Sequence, residues 1–201
     1  MIAGFHEHME TTDYSVVDPQ GNVVSVTYTL SGAFGSHVSV MGAGFLLNNK
    51  MDDFSAKPGV PNMYGLFGGF ANSIQPHKRM ISSTTPTIVT QHGKLCMVLG
   101  SPGGSTIITT VLQTFLDIFE FGMDTQQAVS ALRFHNQWYP DEIFYEAYAI
   151  NHDTAVKLKA RGHHLHQWSA YIGRENCIFL QKNGMKQGAA DPRGEDYTAG
   201  F

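Results

Sequence analysis

Charge is scarce in this chain: charged residues make up 15%, with 13 Lys and Arg against 17 Asp and Glu, for a formal net charge of −4. With no basic run either, the electrostatic footprint of a nucleic-acid binder is missing. Cysteine is scarcer still. Cys96 and Cys177 are the only 2, which excludes a disulfide scaffold; both sit in apolar, strand-like runs and read as buried thiols with no inferable pairing. No apolar stretch approaches the roughly 20 residues that cross a bilayer as a helix. The segment Met1-Ile2-Ala3-Gly4-Phe5-His6 lacks the basic and apolar regions of a secretory signal; in half of a larger precursor that absence carries no information about destination. Repeats, linkers and low-complexity segments are missing as well. What remains is 201 residues, 42% of them hydrophobic, enough for one domain with a sizeable core.

The most informative stretch runs from Thr11 to Leu30. Asp18-Pro19-Gln20-Gly21 has Asp, Pro and Gly at the first, second and fourth positions of a type I turn. Gly21 can then supply the left-handed residue of a three-residue hairpin loop. Closing the loop with Asp18 opposite Asn22 fixes the register: Val17 faces Val23, Ser15 faces Ser25 and Thr11 faces Thr29. Cross-strand partners hold their Cβ atoms about 4.5–5.5 Å apart, so the hairpin predicts two adjacent threonine hydroxyls, Thr11 as a candidate nucleophile and Thr29 as its orienting neighbour. An ordinary Thr–Thr pair on a sheet is the plain alternative. Alternation places Val24, Val26, Tyr28 and Leu30 on one face and Val23, Ser25, Thr27 and Thr29 on the other, so one face can enter a core while the other lines a site.

Elsewhere the pattern is of strands, then helices, then strands, which reads as a layered α+β domain. His6-Glu7-His8 reads as part of a solvated tail, because a closed metal site needs about four placed ligands. Ser31 to Ser36 is a small-residue loop, and Val38 to Leu47 is strand-like but broken by Gly42 and Gly44. Residues 48–75 read as a long ordered loop, in which Asp52 is expected to be solvated or to cap a turn. Strands are expected at Thr87–Thr90 and Lys94–Leu99, joined at His92-Gly93. Gly100-Ser101-Pro102-Gly103-Gly104-Ser105 lacks the Lys of a phosphate-binding loop. It precedes a helix marked by Ile108, Val111, Leu112, Phe115, Ile118 and Phe119 and ended by Gly122. Amides at such a helix start favour negative charge; an oxyanion hole and a tight strand-to-helix connection are both compatible with that. Asp124 and Gln127 predict a cap for a second helix through Leu132. His135 reads as a structural histidine before a strand at Glu142–Tyr148, and Asp153 as the cap of a short helix ending at Arg161-Gly162. Alternation puts His164 and His166 on one strand face and His163 on the opposite one, arguing against a metal site. Strands near Leu165–Trp168 and Cys177–Gln181 and a turn at Lys182-Asn183-Gly184 complete the chain.

Thr11-Thr12-x-Tyr14-Ser15-Val16-Val17-Asp18 followed by Gly21-Asn22 resembles the start of the small subunit of gamma-glutamyltransferases. The likeness continues through Leu47-Asn48-Asn49-x-Met51-Asp52-Asp53-Phe54, Lys78-Arg79-x-x-Ser82-Ser83, Gly100 to Ser105 and Asp191-Pro192-Arg193, and so covers Thr11 to Phe201. These are N-terminal-nucleophile enzymes that cut themselves before a threonine. The resemblance implies the C-terminal half of a four-layer αββα sandwich, with a leader at 1–10 and a catalytic domain at 11–201. It implies a large-subunit-like partner chain, without which apolar sheet edges would be exposed. It implies no cofactor, and a periplasmic or extracellular location. By resemblance Thr11 frees itself by an acyl shift at Glu10–Thr11, then takes a gamma-glutamyl group from glutathione or a similar amide. Water, an amino acid or a peptide amine resolves the acyl-enzyme. Gly103 and Gly104 would hold the oxyanion, Thr29 the nucleophile, Ser82 and Ser83 the substrate carboxylate, and Asp53 its amine. Three positions depart from the family pattern: Ser31 stands where Asn is usual, Asp13 where His is common, and Lys50 where Gln or Glu is usual. Lys50 is expected to pair with Asp53, which points to an acyl donor lacking a free α-amine; a non-catalytic or partner-dependent fragment is the other alternative.

Overall fold

The computed structural model describes residues 11–200. The 1–10 leader, His6-Glu7-His8 and the Glu10 side of the expected scission site lie outside them. β1 (Thr11–Val17) and β2 (Val23–Thr29) form the antiparallel hairpin, with Thr11 opposite Thr29, Ser15 opposite Ser25 and Val17 opposite Val23, as expected. β3 (Ser39–Val40) and β4 (Phe45–Leu46) are the short pieces left when the glycines interrupt the next apolar run. The long loop that follows is ordered by single 3-10 turns at Lys50–Asp53 and Phe70–Asn72.

β5 (Thr87–Gln91) and β6 (Lys94–Gly100) join β10 (Asn176–Leu180) and β11 (Lys186–Ala190) in a 4-stranded antiparallel sheet of order β11-β10-β6-β5. α1 (Ile107–Phe119) and α2 (Thr125–Ser130) cover one face. There Met97 and Leu99 of β6, Cys177 of β10 and Ala189 of β11 bury themselves against Ile107, Val111, Ile118, Ala128 and Val129. Burying such an aliphatic side chain contributes about 1.5–3 kcal/mol. The other face of β6 takes the hairpin: Gly100 lies under the Asp13 carboxylate, and Ser25 Oγ donates to the Leu99 carbonyl at 3.2 Å. Helices, sheet and hairpin are thus stacked as α, β and β layers. β7 (Phe134–His135), β8 (Ile143–Tyr145) and β9 (Leu165–Gln167) form a small mixed sheet, with α3 (His152–Ala160) between β8 and β9. Among the described residues no helix is long and apolar enough to cross a membrane.

The hairpin, whose two faces the sequence left unassigned, packs inward through its polar one: Thr11 and Asp13 are buried, while Tyr14, Val16, Val24 and Tyr28 are about half exposed or more. Several expectations are corrected. On α1 the buried stripe is Ile107, Val111 and Ile118 with Thr110 and Thr114; Ile108 and Leu112 face outward, because the helix is apolar on two adjoining faces and the sheet takes only one. α2 ends at Ser130 rather than Leu132, where Ala131 turns extended. Asn151, not Asp153, caps α3: its side chain accepts from the Thr154 amide at 2.8 Å, and Asp153 already lies in the first turn. β8 is shorter than Glu142–Tyr148, since Glu146 leaves the strand to meet Arg193. Cys96 is only half-buried, and Cys177 is buried; both are free thiols.

Candidate active site

The turn chemistry builds the site's first element. Asp18 accepts from the Asn22 amide at 2.8 Å and from Asn22 Nδ2 at 2.7 Å, while Gly21 sits at φ 88°. That locks the register and brings Thr11 Oγ1 to 3.0 Å from Thr29 Oγ1, to which it donates. Thr29 Oγ1 also accepts from the Ser31 amide at 2.8 Å. Ser31 is buried in the left-handed region at φ 82°. Its carbonyl accepts from the Tyr64 hydroxyl at 2.8 Å, and the next amide, Gly32, donates to Asn49 Oδ1 at 2.8 Å. Two long-range contacts therefore hold the loop after β2. Tyr64 and Asn49 carry no periodic signal, and sequence reasoning gave neither a role.

One rung along the hairpin, Thr27 Oγ1 donates to Asp13 Oδ2 at 2.7 Å. Burial, only partly offset by that bond and reinforced by Asp196, raises the Asp13 carboxyl to about 6. The rungs at Ser25, Thr27 and Thr29 run past Leu99 and Gly100 toward the loop that follows β6. In that loop Gly103 (φ 144°) and Gly104 (φ 56°) lead through a 3-10 turn into α1. A Cβ on Gly103 would lie 2.6 Å from Thr106 Oγ1 and 3.1 Å from Gly173 Cα, so this turn requires glycine.

The remaining expected residues fall in two places. Lys50 Nζ lies 2.8 Å from Asp53 Oδ2, with side chains 21% and 5% exposed, so the anticipated ion pair is formed. Asp53 and Ser83 line one cavity of about 160 Å³ with Phe54, Asn72 and Ile81. Ser82 is exposed, its hydroxyl 2.7 Å from that of Thr84. Asp52 is partly exposed and accepts from the Met63 amide at 3.0 Å, so it ties two parts of the long loop together rather than capping its own turn. His135 is a buried structural residue, 2.8 Å from Thr109 Oγ1 through Nδ1 and 3.1 Å from Gln137 Oε1 through Nε2; burial lowers its pKa. Among the described residues no cluster of three or more His, Cys, Asp or Glu is arranged to hold a metal.

Known proteins share this sequence and this fold. The family model described as gamma-glutamyltranspeptidase matches residues 2–201. The chain is 49% identical over 197 residues to a glutathione hydrolase proenzyme of Escherichia coli K12, a match covering 98% of this chain and 34% of that protein. It thus spans about a third of the length of the curated relatives it first matches. In structure it is similar to the gamma-glutamyltranspeptidase from Pseudomonas nitroreducens complexed with L-DON, at TM-score 0.87 and 45% identity, covering 94% of this chain and 99% of that one. It is equally similar, at TM-score 0.87 and 49% identity, to an acivicin-inhibited gamma-glutamyltranspeptidase whose C-terminus is critical in autoprocessing and catalysis; that match covers 92% of this chain and 100% of that one. The N-terminal-nucleophile α+β fold read from the sequence is therefore the fold observed. A threonine rung at the start of β1, a glycine turn at the start of α1 and a family match running almost end to end place this chain in the gamma-glutamyltranspeptidase family.

Proposed function

We propose that this chain is the catalytic portion of an enzyme that cleaves gamma-glutamyl amides such as glutathione and transfers the acyl group to water, an amino acid or a peptide amine. Thr11 Oγ1 first attacks the Glu10 carbonyl; hydrolysis of the resulting ester separates a 1–10 leader from an 11–201 catalytic domain. The freed α-amine, with an ordinary value near 7.7–8.0, then serves as base for the hydroxyl on the same residue. Attack on the gamma-carbonyl gives an oxyanion received by the Gly103 and Gly104 amides, a role worth about 2.7–4 kcal/mol per donor. The amine returns its proton to the leaving amine, and the acyl-enzyme is resolved by water or an acceptor. Asp53, Ser82 and Ser83 bind the donor's amino-acid end, beside Ser31. A large-subunit-like chain completes the site.

The observation that carries this reading is the part-buried Thr11–Thr29 rung, with 3.0 Å between its hydroxyls. The test is co-expression with the large-subunit-like chain, followed by mass spectrometry and a gamma-glutamyl anilide assay. A species starting at Thr11 with turnover is expected, and Thr11→Ala abolishes both. A stable uncut chain under all conditions favours a non-catalytic fragment instead.

One observation favours a second reading of the donor. The Lys50–Asp53 pair leaves Asp53 partly neutralised, and a cation at this distance repels an ammonium. On this reading the donor lacks a free α-amine. Glutaryl anilide is then cleaved at least as well as gamma-glutamyl anilide; a strong preference for the gamma-glutamyl donor refutes it.

A further inference from the structure

Under the hairpin lies a second acidic group that the reaction above does not use. Glu175, immediately before β10, is fully buried, and its amide donates to Asp191 Oδ2 at 2.8 Å. The Gly100 amide gives its carboxylate partial support, yet among the described residues neither oxygen reaches full hydrogen-bond geometry. Asp13 meets the same glycine: its Oδ2 would lie 2.3 Å from a Cβ built there, and among the described residues its Oδ1 is buried without a hydrogen-bond partner. The Asn176 side chain ties the junction together, donating to the Asp13 carbonyl at 3.2 Å. Two buried carboxyl groups thus converge on Gly100, one of them two residues from the proposed nucleophile and on the same strand face.

We propose that Asp13 and Glu175 form a coupled carboxyl pair that positions the nucleophile strand: Glu175 stays protonated, and charged Asp13 grips Thr27 and keeps the adjoining Thr11–Thr29 rung in place. This rests on the assignment of Thr11 as nucleophile. Two carboxyl groups meeting at one buried junction do not both ionise cheaply. Glu175, the more deeply buried, keeps the proton; burial and the Asp13 charge both push it well above the usual carboxylate range. The groups facing the pair from every packed element are consistent with this. Asp191 adds negative charge to Glu175, and Arg133, ion-paired to Asp191 at 2.8 Å, offsets part of it. Asp196 faces Asp13 from the C-terminal segment, with Arg174 3.1 Å from its Oδ2. β2 presents Thr27 and β6 presents Gly100, neither carrying charge; on β10, burial and Glu175 keep the Cys177 thiol protonated. When Asp13 takes a proton, its charge-assisted bond to Thr27 becomes a neutral one of about half the strength.

The test uses the assembled two-chain enzyme, carboxyl-labelled for carbon NMR. Asp13 is expected to titrate near pH 6, below the acid limb that the Thr11 amine gives to kcat. Asp13→Asn is expected to lower kcat about tenfold with KM unchanged where that amine is unprotonated. Glu175→Gln, which mimics the protonated acid, retains kcat. An Asp13 midpoint in the ordinary carboxylate range, an Asp13→Asn variant that keeps the parent kcat, or a Glu175→Gln variant that loses it overturns the proposal. The NMR titration needs no turnover. If Thr11→Ala leaves catalysis intact, the nucleophile assignment fails while the pair itself is still judged.

Discussion

Thr29 shows how much one side chain is asked to do. Its oxygen accepts from both the Thr11 hydroxyl and the Ser31 amide, so it joins the proposed nucleophile to the left-handed loop residue that follows β2. Thr29→Val keeps the shape and removes the acceptor. A net hydrogen bond is worth about 0.5–1.5 kcal/mol, so kcat is expected to fall about tenfold with little change in KM, measured by steady-state assay of the assembled enzyme. A second residue-scale case is the buried ionic junction. Arg133 is enclosed, paired to Asp191 at 2.8 Å and donating to the Ile172 and Val129 carbonyls, while Arg193 spans Glu146 and Asp191. Asp191→Ala leaves Arg133 charged, buried and without its carboxylate, which costs about 3–5 kcal/mol. Urea unfolding of the chain at pH 7 measures it. The Asp191-Pro192-Arg193 motif is thereby given a structural reason: it fastens the start of the C-terminal segment to the Arg133 and Glu146 junction.

At the scale of elements, what was legible followed from local chemistry. The β1–β2 register came from an Asp-Pro-x-Gly turn, and α2 came from Asp124 and Gln127, which do form a reciprocal capping box. Asp124→Ala is expected to lower stability by about 0.5–2 kcal/mol with an unchanged urea slope. What was not legible depended on tertiary partners. β11 reads Lys-Gln-Gly-Ala-Ala, with no β-branched or aromatic residue, and exists because β10 offers it a ladder. The stripe on α1 was misjudged because Ile107 and Ile108 are equally apolar, and only the sheet decides which is buried. Within the site, Asp53 and Ser83 share a cavity through a loop with no period, and Glu175 gave no signal, being one acid in an ordinary polar run. The residues assigned to the proposed chemistry came from turn geometry and family likeness; Tyr64, Asn49 and Glu175, which pack around them, were given no role.

For the whole molecule, the arrangement of apolar surface and buried charge leads to two measurable behaviours. Tyr14, Val16, Val24 and Tyr28 form an exposed apolar face on the hairpin, and Ile108, Leu112 and Phe121 expose apolar surface on the helical side. Contiguous faces of this kind belong to interfaces. The isolated chain is therefore expected to bind a hydrophobic dye and self-associate in sedimentation, and to lose both properties when the large-subunit-like chain is co-expressed. Cooperative unfolding of the chain also carries a pH signature from Asp13. Its ordinary value is 3.8, and in the folded chain it is held near 6 by burial. Between those values the folded state binds more protons than the unfolded state, so this group's contribution to stability falls as pH rises from about 4 to about 6 and is flat above. Glu175, raised by burial in the same sense, extends the decline to higher pH. Asp13→Asn removes the first part of that slope. Its stability gain over the parent chain, measured by urea unfolding, should therefore grow from pH 4 to pH 6 and then level off. A gain that is constant across this range would mean that Asp13 ionises in the folded chain as freely as in the unfolded one, and that the β1–β6 junction admits water.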